Sequence, residues 1–326
     1  MGNKWRKALM VVFGATLILA ACGDDGDKKE GSTKKKYKVG VTQIVEHPSL
    51  DAAFDGFKKA LEDAGLEVEY DVNNAQNDQS ANTSIAQKLV SSEVDLIFAN
   101  STPSAQAVAS ATQDVPILFT SITDPVGAEL VETLEKPGGN LTGTIDLHPE
   151  VIPNTLKFLK EELGAKNVGI VYNSGEQNAR VQVDTVNELA EDMGLTIYEA
   201  TISTSAEVKQ ATESLVGKVD SFYIIKDNTV VSALESVIEV AVANQLPMMV
   251  GELDSVKRGG LAAYGFEYFD LGYQTGQMAV KILKEGNEPA SLPVQTPESL
   301  TFVVNEETAV KMGIEIKDDW HSEVSE

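Results

Sequence analysis

KVGVTQIVEHPSLDAAFDGFKKALEDAGLEVEYDV, residues 38–72, holds one full unit of the pattern that runs through the chain. Its first eight residues read as a strand buried on both faces. Leu50, Ala53, Phe54, Phe57 and Leu61 then recur at helical spacing, and Gly65 stands where such a helix would stop. LEVEYDV follows as a second strand. A strand, a covering helix and another strand form the repeating unit of a parallel sheet.

The same alternation continues outward. QSANTSIAQKLVSSE and PSAQAVASATQ read as helices, VDLIFAN and VPILFTSI as strands. The pattern then begins again with NVGIVYNSG, ARVQVDTVNELAEDMG and LTIYEATI, followed by SAEVKQATESLVGK, VDSFYIIKD, VVSALESVIEVAVANQ and LPMMVGE. Val39-Gly40 and Gly65-Leu66 recur 129 positions on as Val168-Gly169 and Gly194-Leu195. Val94-Asp95 recurs 125 positions on as Val219-Asp220. Three matches in order, each within an equivalent element, predict two similar α/β lobes with parallel sheets. The tail, from GLAAYGFEYFDLGYQTGQMAVKILKEG to SLTFVVNEETAVKMG, offers further strands and helices. If the lobes share these, the chain crosses between them more than once, which makes a hinge with a cleft beside it.

The N-terminus is of another kind. Lys4, Arg6 and Lys7 precede an uncharged run from Ala8 to Ala21, closed by two alanines before Cys22, the one cysteine of the 326 residues. Basic head, apolar centre and small residues at the end are the parts of a secretory leader, and a run of about 14 residues is short of the roughly 20 that span a bilayer. Leu19-Ala20-Ala21-Cys22 resembles a bacterial lipobox, so residues 1–21 are expected to be removed and Cys22 to carry lipid. Residues 22–36, small or charged throughout, read as a flexible tether. With a single cysteine, no disulfide can hold the fold.

Charge and motif exclude other functions. There are 26 basic against 50 acidic residues, a net of −24, with no basic face to meet nucleic acid. His47, His148 and His321 are far apart, no HExxH or GxSxG motif occurs, and no phosphate-binding glycine loop is present. No catalytic residue, metal site or cofactor is expected.

In open parallel sheets, ligands lie beyond the carboxyl ends of the strands. The polar residues there include Thr42, Gln43, Glu46 and His47, then Asn100, Ser101 and Thr102, then Thr120, Ser121, Thr123 and Asp124. In the second lobe they are Asn173, Ser174, Glu176 and Asn178, then Lys226, Asp227 and Asn228, then Glu252 and Asp254. Ser101 and Thr102 precede Pro103 at a helix start, where free N–H groups and hydroxyls suit a carboxylate, although a plain helix cap explains them as well. Asp227 and Asn228 occupy the equivalent loop and are open to the same two readings. Together the two loops suit a zwitterion, with its carboxylate on the first lobe and its ammonium on Asp227. Phe119 and Tyr223 could wall an aromatic ligand or simply pack in the cores.

VGVTQIVEHPSLDAAFDGFKKAL, TPSAQAVASAT, FTSITDPVGAELVETLEKPGGNLTG, VYNSGEQNA, DNTVVSALESV and YGFEYFDLGYQTGQMAVKIL resemble a family of ABC-transporter substrate-binding lipoproteins, over about Lys38 to Gly313. That family includes tryptophan- and tyrosine-binding proteins. The resemblance implies a type I periplasmic-binding-protein fold: two Rossmann-like lobes joined by a multi-crossover hinge, closing on a solute without catalysis. It assigns 37–147 and about 264–291 to the N-terminal lobe, and 148–263 and about 292–326 to the C-terminal lobe. It places ligand contacts at Gln43, Ser101, Thr102, Ser121, Asn173, Asp227 and Asn228, and Glu252, in a loop after a second-lobe strand, is a further candidate. One departure stands out: the family pattern has Thr before the Asp-Asn pair, and this chain has Lys226. The expected protein is a monomeric, extracytoplasmic lipoprotein, held to the membrane through Cys22 on a Gram-positive surface, that captures a small amino acid-like, aromatic solute for ABC permease subunits. A solute sensor for a membrane receptor and a surface enzyme are the alternative readings.

Overall fold

The repeat in the sequence is a repeat in three dimensions. The computed structural model describes residues 35–318 and residue 320; the expected leader, Cys22 and His321 lie outside the described residues. The chain begins β1 (Lys36–Gln43), α1 (Pro48–Asp63), β2 (Glu67–Asn74), α2 (Gln79–Ser91), β3 (Leu96–Asn100), α3 (Thr102–Ala111), β4 (Ile117–Ile122) and β5 (Leu141–Ile145). It continues with α4 (Val151–Glu161), β6 (Asn167–Asn173), α5 (Gln177–Met193), β7 (Thr196–Ile202), α6 (Val208–Leu215) and β8 (Ser221–Ile224). Then come α7 (Asn228–Ser232), α8 (Leu234–Ala243), β9 (Met248–Val250) and α9 (Leu253–Lys257). β10 (Ala262–Gly265), α10 (Tyr268–Leu283), β11 (Thr301–Val304) and α11 (Glu306–Met312) complete the described chain. Lys36, expected at the end of the tether, already pairs with Glu67 in the first sheet.

The first sheet runs β2-β1-β3-β4-β5, all parallel. The second runs β11-β10-β9-β8-β6-β7, parallel except for the β10–β11 edge. Each contains the same four-strand core, β2-β1-β3-β4 matching β7-β6-β8-β9. The two Val-Gly pairs lie in its inner strands for a packing reason. A Cβ on Gly40 would come within 2.9 Å of Leu89 from α2, and one on Gly169 within 2.8 Å of Phe222 and 3.3 Å of Leu215 from α6. Removing the side chain from the strand lets the neighbouring leucine settle against its backbone.

The inner strands of both sheets are buried on both faces, while the edge strands β2 and β7 are partly exposed. Phe57 and Phe98 meet at 4.2 Å between ring centres beneath α1, while Phe119 and Tyr223 are fully buried in the cores of the first and second lobes. Neither is a ligand wall.

α10 belongs to the first lobe because of its glycines. A Cβ on Gly272 would stand 1.8 Å from the carbonyl oxygen of Ala53, and one on Gly56 1.9 Å from that of Phe269. Only bare glycine allows α1 and α10 to approach this closely. The chain therefore crosses between the lobes three times: after β5, after β10 and before β11. Two expected boundaries shift. β10 continues to Gly265 because Gly265 pairs with Thr301. The return to the second lobe comes after Gln295, since Leu292 accepts from Thr142 and Gln295 bonds both Gly143 and Ile145 in the first. The helix expected through 230–245 is broken at Ala233 into α7 and α8. Among the described residues no helix is long and apolar enough to cross a membrane.

Candidate functional site: a cleft between the lobes

In each lobe the strand order reverses direction beside the first strand, between β1 and β3 and between β6 and β8. At such a point adjacent loops leave in opposite directions and a crevice opens between them. The two crevices face each other. Ser121, Thr123 and Asp146 on one side and Asn178, Lys226, Asp227, Asn228 and Glu252 on the other line the gap, with Leu50 and Tyr268 closing it. The space left is only about 10 Å³, about one water molecule. A wider and more open recess of about 400 Å³ lies where Leu253 and Thr301 of the second lobe meet Phe266 and Tyr273 near the second and third crossings.

The first lobe contributes strained serines. Ser101, between β3 and α3, has φ +97°, and Ser121, near the end of β4, has φ +58°. Side chains rarely adopt these values, and such strain costs about 1–3 kcal/mol each where surrounding structure enforces it. Neither Ser121 Oγ nor Thr102 Oγ1 has a partner, although both are buried. The expected cap by Ser101 is not formed; its hydroxyl lies 3.4 Å from Ser104 Oγ.

Gln43 and Asn173 do not line the cleft. They are its scaffolding. Gln43 donates to Val45 O and Asp51 and accepts from Asn100, fastening the β1 and β3 loops together. Asn173 accepts from Gly175 N–H, donates its amide to Thr229, and gives its backbone N–H to Asp227 at 2.6 Å. Ser101, whose N–H donates to the Thr120 carbonyl, and Thr102 are buried but outside the lining. Of the eight expected contacts, Ser121, Asp227, Asn228 and Glu252 reach the cleft wall.

Asp227 is both cap and wall. One oxygen accepts from Val230 N–H at 2.8 Å, capping α7, and the other from Asn173 N–H. Burial, and then the neighbouring Glu176 carboxylate, push its carboxyl well above the usual range. Glu176 accepts from the backbone and side chains of Asn228 and Thr229 and from Asn178, so a second carboxylate fixes the same short helix.

Lys226 points inward. Asn178 and Gln182 of α5 clamp its backbone, and its side chain is only 5 % exposed. Its ammonium donates to the carbonyl of Asp146 at the first crossing. It also lies 4.5 Å from the ring centre of Phe266 and 5.6 Å from that of Tyr268, rings stacked on each other at the second crossing. Burial lowers its pKa, opposed by Asp146 and Glu252. Asp146 itself accepts from Thr123 and from the Tyr268 hydroxyl.

Two further groups close the gap. Glu252 accepts a hydrogen bond from Ser49 of the opposite lobe at 2.8 Å, and burial raises its carboxyl to about 7. His47 is buried at the start of α1 facing Asn228, and burial lowers its imidazole to about 4. Asp146, Tyr268 and Ser49 escape a reading of strand ends. Asp146 follows β5, a short run within GGNLTGTID that resembles a loop, and Tyr268 and Ser49 sit in helices. No group of three or more potential metal ligands occurs among the described residues.

The profile of the family described as "ABC transporter substrate binding protein" matches residues 38–325. A tyrosine-binding protein of Clostridioides difficile (strain R20291) is 43 % identical over 307 residues, 91 % of this chain and 88 % of that one. The crystal structure of an ABC domain from Streptococcus pneumoniae in complex with L-Trp superposes with a TM-score of 0.85 at 33 % identity, covering 89 % of this chain and 99 % of that one. A substrate-binding protein with adhesive properties from Clostridium difficile, solved ligand-free and open, gives 0.66 at 44 % identity over the same shares. The better fit is to the less similar sequence. The first of these two structures holds its ligand and the second is open, while in this chain the gap between the lobes is about 10 Å³.

Proposed function

Because this chain belongs to the family of ABC transporter substrate-binding proteins, we propose that it captures a small amino acid-like, aromatic solute between its lobes and delivers it to an ABC permease. Members of the family bind small solutes outside the cytoplasm and work with ABC permeases; the fold is that of the type I periplasmic binding proteins. One observation carries the proposal. Buried polar groups from both lobes converge on a cleft that shuts almost completely, as expected where a hinge closes on a small polar molecule. The aromatic class is drawn from relatives that bind tyrosine and L-Trp. In this reading the protein performs no chemistry on its solute.

The reading is tested by thermal unfolding of the unit from Lys35 onward, a compact body of its own, against the twenty amino acids and their close aromatic relatives. Binding to the native state raises Tm by mass action. A selective rise with aromatic compounds is expected; no rise with any of them removes the aromatic class.

Lipid on Cys22 would keep the trap at the outer membrane face beside its permease. Replacing Cys22 by serine is expected to release the protein from the membrane fraction with solute affinity unchanged. Retention of the variant in membranes would refute the anchor.

A further inference from the structure

We infer that Lys226 sets the ligand class of this cleft: its ammonium takes the position that an amino acid's own ammonium would need, so the solute selected is an aromatic carboxylate without an α-ammonium. The inference rests on the aromatic reading above and narrows it.

Three observations carry it. First, the cation position is built and filled from within. The Lys226 ammonium has a carbonyl acceptor in Asp146 and the stacked rings of Phe266 and Tyr268 beside it. Carbonyl oxygens and ring faces are the surroundings that attract an ammonium. Second, the nearby carboxylates are already engaged by neutral protein donors. Asp227 holds the N–H groups of Asn173 and Val230 on its two oxygens, Asp146 holds Thr123 and Tyr268 on its two, and one oxygen of Glu252 takes both Ser49 and Ser255. A second ammonium would enter beside the first in a nearly dry cleft, where like charges repel strongly. Third, each wall keeps an unspent polar atom. Ser121 Oγ, buried at the cleft and without a partner, can donate to a carboxylate. Asn178 Oδ1 is also unpartnered, and as a neutral acceptor it suits a phenol hydroxyl or an indole N–H. The cleft thus offers donors to an anion and neutral acceptors to a ring substituent, while its cation position is taken.

The test is calorimetry on the intact protein with four probes: L-tyrosine, 3-(4-hydroxyphenyl)propionate, L-tryptophan and indole-3-propionate. The wild type is expected to bind each propionate at least tenfold more tightly than the matching amino acid. Lys226→Met, similar in length but uncharged, should move that ratio at least tenfold toward the amino acid, and Lys226→Arg should keep the wild-type preference. A ratio is the readout because a merely loosened cleft weakens both members of a pair alike. Wild-type preference for the amino acids, or a ratio unmoved in Lys226→Met, overturns the inference and leaves the aromatic reading standing. Binding of none of the four to any variant overturns both.

Discussion

Asp227→Ala is expected to lower the unfolding free energy by about 2–4 kcal/mol, measured by urea denaturation, and to weaken solute binding by about 2–5 kcal/mol. The stability loss follows from two buried N–H groups, those of Asn173 and Val230, left without an acceptor, at about 1–3 kcal/mol each. The binding loss is of the size seen when one member of a buried, hydrogen-bonded charged set is removed. Here it comes through position: Asp227 ties β6 to α7, and Lys226 and Asn228 flank it in the cleft. Asp227→Asn separates the two effects. It keeps one acceptor oxygen and places an amide donor opposite the other N–H group, so about half the stability loss should remain. A large affinity loss in Asp227→Ala with unchanged stability would mean that Asp227 meets the solute directly and is not mainly the keystone of its loop.

Solute affinity is expected to respond to pH through two groups of opposite sign. In the shut cleft burial holds the Glu252 carboxyl at about 7, and a return to water on opening would let it fall toward its ordinary 4.5. The closed form therefore takes up a proton, and closing becomes less favourable as pH rises from about 4.5 through 7. His47 is lowered on burial from 6.5 to about 4. Closing then expels a proton and becomes more favourable as pH rises from about 4 to 6.5. At 1.36 kcal/mol per pKa unit, each effect is worth up to about 3 kcal/mol. They largely cancel below pH 6.5, so the wild type should bind almost evenly there and weaken by about 1 kcal/mol toward pH 8. Glu252→Gln leaves the His47 titration alone: calorimetry from pH 4.5 to 8 should show affinity climbing until pH 6.5 and then level. His47→Gln should show the reverse, a fall through pH 7. Parallel profiles for wild type and both variants would place these groups outside the closing step.

Much of this was legible in the sequence for definite physical reasons. Parallel strands buried on both faces must be apolar throughout, so β1, β3, β4, β6 and β8 declare themselves, and the paired Val-Gly steps mark where a helix packs onto an inner strand. The loops after those strands could be named as the cleft for the same topological reason. Which side chains of the loops face the solute was not legible. Gln43 and Asn173 have the right chemistry and the right address, yet their hydrogen bonds run sideways to neighbouring loops, a fact of rotamer and register. Asp146 and Tyr268 lie where the chain passes between lobes, and local pattern does not reveal a crossing. Lys226 was visible as an oddity in the motif, but its inward course depends on Phe266, forty residues further on.

The glycine seam between α1 and α10 also bears on how the molecule is made. Residues 36–145 are synthesised well before α10, whose glycines follow Gly56 by more than two hundred positions. Until Gly272 and Gly276 arrive, the floor of α1 is an open apolar groove. Closing so long a loop is slow, and the waiting surface is prone to aggregate. The second lobe is also unfinished at that time, because β11 follows α10. Neither half can mature ahead of the other, so the interleaving that supplies three hinge strands makes late, joint folding the expected route and gives a holding chaperone its natural target.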